Sequence, residues 1–219
     1  MKPANLIQRY SDSDRINHWI VAIAFVLAGL SGLAMFHPGF FALTGLFGGG
    51  PWTRTLHPYI GLVMFTAFVS MAKRFWTHNV MEPVDYQWLR LIRDVLVNRE
   101  DRLPKIGKYN AGQKLLFWML VAALPTLFVT GLIFWRAWFA QYFPIPVIRV
   151  AALLHALAAS ALIIGIMVHI YAAIWVKYTV GAMIRGTVTH KWARLHHPLW
   201  YQQVTGQSVT GQTPPPGQE

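Results

Sequence analysis

Residues 153–175, LLHALAASALIIGIMVHIYAAIW, form an apolar run long enough to cross a bilayer, and the run carries two ionisable rings, His155 and His169. A hydrocarbon core about 30 Å thick needs about 20 helical residues, and in lipid the backbone must satisfy its own hydrogen bonds, so the run reads as a membrane-spanning helix. At about 1.5 Å rise per residue, the rings lie about 21 Å apart along the axis and about 40° apart around it. Two rings at opposite depths on one face imply two stacked sites. Each needs a partner from another helix.

Composition supports the membrane reading. Of 219 residues, 55% are hydrophobic and only 12% charged, with Trp at 10, Phe at 13 and Tyr at 8. A soluble domain carries about a quarter charged residues. Four spans stand out, at residues 18–36, 56–75, 115–135 and 150–176. The expected fold is an all-α four-transmembrane-helix bundle over residues 1–200, followed by a polar flexible tail over 201–219. Pro125 falls inside the third span and is expected to bend it, with Thr130 helping to satisfy a nearby carbonyl. Residues 45–55, containing LFGGGPWT, read as a tight loop, and residues 85–97 as an amphipathic surface helix presenting Trp88, Leu91, Ile92 and Val95. The first span is too long for a typical signal-peptide core, so it is expected to be retained.

Charge sets an orientation. Lys2, Arg9 and Arg15 precede span one; Lys73, Arg74, Arg90, Arg93, Arg99, Arg102, Lys105, Lys108 and Lys114 lie between spans two and three; Lys177, Arg185, Lys191 and Arg194 follow span four. The opposite side holds only Arg54, Arg136 and Arg149. The positive-inside rule then places both termini in the cytoplasm. The net charge of +11 reflects these flanks, which meet anionic headgroups, rather than a nucleic-acid surface. Absence of cysteine excludes disulfides and an iron-sulfur cluster held by this chain.

With that topology, depth alone pairs His57 with His155 near the periplasmic side and His18 with His169 near the cytoplasmic side. Buried ionisable side chains in membranes are costly and usually functional. Paired imidazoles from two helices at one level are what bis-histidine haem ligation requires, so these four residues are the candidate metal ligands of two b-type haems. Gly29, Gly61, Ala158, Ala159 and Gly165 thin the histidine faces, as a flat macrocycle or close helix packing would need. Arg9, Arg15, Arg54 and Arg149 are candidate propionate partners. His37, His78, His190, His196 and His197 read as surface or partner contacts, and the tryptophans at span ends as interfacial belts.

At YSDSDRINHW, RTLHPYIG, KYNAGQKLLFW and LLHALAASALIIGIMVHIYAAIW, the chain closely resembles the cytochrome b556 gamma subunits of membrane-bound respiratory formate dehydrogenases. The likeness covers nearly all of the chain apart from the final tail. It implies a dihaem cytochrome b that passes electrons from an iron-sulfur beta subunit to quinone, while a molybdenum- or tungsten-containing alpha subunit oxidises formate. The chain would then not oxidise formate itself. The resemblance assigns the same two histidine pairs and adds Asn110, Gly112 and His169 as quinone-binding residues, the exchangeable quinone being menaquinone or ubiquinone. It further implies a bacterial inner-membrane location among lipids, an alpha-beta-gamma protomer, and association of three such protomers. A cytochrome b subunit of a hydrogenase or other periplasmic oxidoreductase is the alternative. A transporter is disfavoured because no inverted repeat or unpaired charged relay is evident.

Overall fold

A computed structural model describes residues 6–97, 99 and 102–207; residues 1–5 and most of the expected tail lie outside them. The described residues fall in two compact units, one of residues 11–76 and 116–177, the other drawn from residues 6–10, 77–115 and 178–207. Among the described residues, four helices are long and apolar enough to cross a membrane: α1 (Asp12–Phe36), α2 (Gly50–Phe75), α5 (Ala111–Ile133) and α6 (Ile145–Trp175). All four expected spans are therefore helices, each starting earlier in the chain than hydropathy alone suggested.

In the first unit, helix starts follow local chemistry. Ser11 caps α1, its hydroxyl accepting from the Asp14 N–H at 3.2 Å while the Asp14 carboxylate accepts from the Ser11 N–H at 3.1 Å. This reciprocal arrangement satisfies two of the donors a helix start leaves open. The tight loop expected over 45–55 is shorter than that. A 3-10 helix (Pro38–Phe47) ends at Gly48 and Gly49, whose φ values of 84° and 98° suit glycine. Directly after them α2 begins, with Pro51 in its first turn, where a missing N–H costs nothing. Both α2 and α5 run through an internal proline, Pro58 and Pro125. The Thr130 hydroxyl bonds the Thr126 carbonyl at 2.6 Å, one turn back, rather than the Val121 carbonyl that Pro125 frees.

Val21, Ala24, Met64, Phe68, Ala72, Phe117, Leu124 and Leu162 form the core of this unit. Phe65 and Phe128 stack at 4.1 Å between ring centres, and Trp76 sets its edge against Trp118 at 5.0 Å. Such contacts matter because lipid supplies no hydrophobic drive between helices, leaving packing and polar contacts to hold them. Along its 31 residues α6 buries only Ala151 and Leu162. Leu153, Leu157, Ile164, Val168, Tyr171 and Ile174 are exposed, the exterior a helix presents to hydrocarbon.

The second unit is a small amphipathic assembly. Its β1 (Leu6–Gln8) pairs antiparallel with β2 (Thr187–Thr189), Ile7 opposite Val188, a ribbon the all-α expectation lacked. Around it lie α3 (Pro83–Arg90), α4 (Ile92–Leu96), α7 (Thr179–Arg185), α8 (His190–His196) and α9 (Pro198–Thr205). The surface helix expected over 85–97 is broken at Leu91, whose N–H bonds back three residues to the Trp88 carbonyl, tightening the turn. Trp88, Ile106 and Ala111 form a small core there. Ordered chain also runs past residue 200, since Tyr201 in α9 is buried.

Candidate metal centres

Each expected ligand sits on a long helix: His18 on α1, His57 on α2, His155 and His169 on α6. All four are half-buried. The structure brings the rings of His57 and His155 together, with ring centres 6.2 Å apart and planes inclined at 64°, an edge-on arrangement. Two metal–imidazole bonds of about 2.0 Å, with about 1.1 Å from each nitrogen to its ring centre, require about 6.2 Å. The observed ring separation matches that requirement.

Their other ring nitrogens are already committed. His57 Nδ1 lies 2.8 Å from Ser31 Oγ, and His155 Nδ1 lies 3.0 Å from Thr130 Oγ1. The hydroxyl hydrogens have their own acceptors, for Ser31 the Leu27 carbonyl at 2.7 Å and for Thr130 the Thr126 carbonyl at 2.6 Å. Each oxygen therefore accepts from an Nδ1–H. That fixes both rings as the tautomer with a free Nε2 lone pair, the form that binds iron. Each hydroxyl residue is followed by a glycine that lies beside the same ring. A methyl on Gly32 would stand 3.4 Å from His57 Cε1, and one on Gly131 3.4 Å from His155 Cε1. The pattern repeats on two helix pairs: Ser31–Gly32 on α1 holds His57 of α2, and Thr130–Gly131 on α5 holds His155 of α6.

His18 on α1 and His169 on α6 make the second expected pair. Their surroundings differ from those of the first pair. His18 Nδ1 is buried with no hydrogen-bond partner among the described residues, and the Trp19 ring stands edge-on to the imidazole at 5.6 Å. Among the described residues no group of three or more His, Cys, Asp or Glu side chains could hold a metal ion.

The small residues divide. Beside Gly29 and Gly61 an added methyl would meet nothing within 4 Å, whereas at Gly165 it would run into the end of the Met119 side chain. Gly165 is therefore a helix-packing position. The candidate propionate partners also differ among themselves. Arg15 pairs with Asp12 at 2.7 Å. Arg9 belongs to the amphipathic unit, where it is 5% exposed, donates to the Lys108 carbonyl at 2.7 Å and lies over Tyr10, Trp192 and Trp200.

His197, expected at the surface, is instead buried in that unit. Its Nδ1 is 2.8 Å from the Gly107 carbonyl and its Nε2 3.1 Å from Arg9 Nη2. A guanidinium only donates, so Nδ1 carries the proton and Nε2 accepts. Burial and the Arg9 charge hold its pKa well below the usual histidine range.

Asn110 and Gly112 also lie in the second unit. Asn110 caps α5: its Oδ1 accepts from the Gln113 N–H at 2.9 Å and its own N–H donates to Gln113 Oε1 at 3.0 Å. With the oxygen engaged in the cap, the side-chain NH2 is the donor that Asn110 offers a ligand. A methyl on Gly112 would stand 3.4 Å from Asn110 Oδ1 and 3.6 Å from Trp88, so this glycine lets the cap and the indole close over the first turn. Four residues along, Lys114 forms a buried ion pair with Asp85 at 2.7 Å and donates to the Val80 carbonyl at 3.0 Å.

Four long apolar helices carry four half-buried histidines, and α2 and α6 bring two of those rings together. The chain belongs to the family described as prokaryotic cytochrome b561, whose model matches residues 9–186. It is 48% identical over 204 residues to the Escherichia coli K12 formate dehydrogenase cytochrome b556(fdo) subunit, covering 93% of this chain and 96% of that one. Identity is 44% over 197 residues to the formate dehydrogenase cytochrome b556 subunit of Haemophilus influenzae, 90% and 83% of the two chains. To the nitrate-inducible Escherichia coli K12 formate dehydrogenase cytochrome b556(Fdn) subunit it is 43% over 204 residues, 93% and 94% of the two chains. The role is membrane electron transfer.

Proposed function

We propose that this chain is the dihaem cytochrome b subunit of a membrane-bound formate dehydrogenase, receiving electrons from an iron-sulfur beta subunit and delivering them to menaquinone or ubiquinone. The observation that carries it is the His57–His155 pair, spaced at 6.2 Å with both Nδ1 atoms held by hydroxyls. When bound, the two haems supply one-electron carriers at two depths in the membrane. His57 and His155 hold one through Nε2; His18 and His169 hold the other. α6 carries a ligand of each and sets their separation.

In this reading the chain lies in the bacterial inner membrane with both termini cytoplasmic, as the basic flanks of the spans favour. Quinone is reduced on the cytoplasmic side, with Asn110, Gly112 and His169 as its binding residues. The Asn110 NH2 donates to a quinone carbonyl while its oxygen stays in the helix cap. Protons for quinol come from the cytoplasm, so inward electron movement separates charge without a proton channel. The assembly is one alpha, beta and gamma protomer, associated in threes, with a molybdenum- or tungsten-containing alpha subunit oxidising formate.

The partner assignment is tested by purifying the tagged chain from detergent-solubilised membranes and assaying formate-dependent quinone reduction. Co-elution with a formate-oxidising subunit and that activity is expected. Recovery with a hydrogenase large subunit instead overturns it.

A further inference from the structure

The two histidine pairs are held differently, and the difference has a redox consequence. In the first pair each Nδ1–H is donated to a buried hydroxyl, Ser31 being fully buried and Thr130 6% exposed. Both hydroxyl hydrogens are tied to helix carbonyls, so neither oxygen can turn away and cease to accept. At the second pair, His18 Nδ1 is buried with no hydrogen-bond partner among the described residues.

An imidazole that donates from Nδ1 has more electron density at Nε2. It is a better donor to iron and stabilises the oxidised, more positive state. An imidazole with an unpartnered Nδ1 is a poorer donor and favours the reduced state. Low local dielectric inside the spans strengthens the contrast.

We propose that Ser31 and Thr130 are positioning residues that lower the potential of the haem held by His57 and His155 relative to the haem held by His18 and His169. Transfer moves one electron, oxidising the iron at the first pair and reducing the iron at the second, and the hydroxyls make that step downhill. No proton leaves either imidazole. The unpartnered Nδ1 of His18 is the other half of the device, because a hydroxyl there would raise that ring's donor strength and shrink the gap. This inference rests on the two-haem reading above.

Potentiometric titration of the intact complex in membranes tests it, comparing unaltered protein with Ser31→Ala, Thr130→Val and the double variant. One midpoint is expected to rise in each single variant, and further in the double. Each hydroxyl should move the electron equilibrium between the haems by about threefold, roughly 30 mV at about 59 mV per decade. The shifted haem must be the one lost in His57→Ala, and Ser31→Thr, which keeps the hydroxyl, must leave the midpoint in place. Should an alanine or valine variant fail to assemble, Ser31→Cys and Thr130→Cys carry the same prediction, since sulfur is a weak acceptor. Two haems with unmoved or lowered midpoints, or a rise at the His18 haem instead, overturn the proposal alone. A single haem per chain in unaltered protein overturns it together with the two-haem reading.

Discussion

Replacing Asn110 with aspartate separates two jobs that one side chain performs. In the structure Asn110 Oδ1 accepts from the Gln113 N–H at 2.9 Å, and the NH2 group is the donor it offers a ligand. Asp and Asn are comparable N-caps, and a negative charge at a helix N-terminus is favourable, so Asn110→Asp keeps the cap and removes the donor. A neutral hydrogen bond is worth about 0.5–1.5 kcal/mol net, equivalent to about two- to tenfold in affinity. Carboxylate repulsion of the quinone carbonyl adds to this. Formate-to-quinone kinetics in membranes should therefore show KM for quinone raised about tenfold, with the haem spectrum and thermal midpoint unchanged. Asn110→Ala loses the cap as well and should cost about 1 kcal/mol of stability besides. Unchanged quinone kinetics in Asn110→Asp would refute the donor role, and an equal loss of stability in both variants would refute the division between cap and donor.

Lys114→Met leaves Asp85 buried without its cation. Breaking such a pair costs about 3–5 kcal/mol, and Lys114→Met with Asp85→Asn should recover part of it, both read as loss of thermal midpoint. For His197, the folded pKa lies below the unfolded value of about 6.5, so the unfolded chain binds more protons on acidification. Stability of the amphipathic unit should be full above about pH 6.5 and fall as pH drops below it. Hydrogen exchange at residues 190–205 between pH 8 and 5 reads this, and a flat profile would mean that His197 does not titrate on unfolding.

Much of this fold follows directly from residue pattern, because lipid imposes length and apolarity on any span. The four spans and their histidines are visible for that reason. The start of α2 is less so, since Trp52, Thr53 and Arg54 carry no hydropathic signal, and only the Gly48–Gly49 break before Pro51 marks it. Ser31 and Thr130 look like ordinary small polar residues within spans. Their role depends on which helix faces which, and periodicity does not supply that. The repeated hydroxyl–glycine step, Ser31–Gly32 and Thr130–Gly131, lying 26 and 25 residues before His57 and His155, was the available clue. Arg9 reads as a propionate partner and His197 as a surface or partner contact in the sequence because their burial is assembled from segments 188 residues apart in the chain.

Haem content per chain, measured by reduced-minus-oxidised spectra and haem stoichiometry on the intact complex, bears most directly on the paired-histidine account. Two b-type haems are expected in unaltered protein, with one lost or perturbed in His57→Ala and the other in His18→Ala. Two unchanged haem signals in both variants would contradict it.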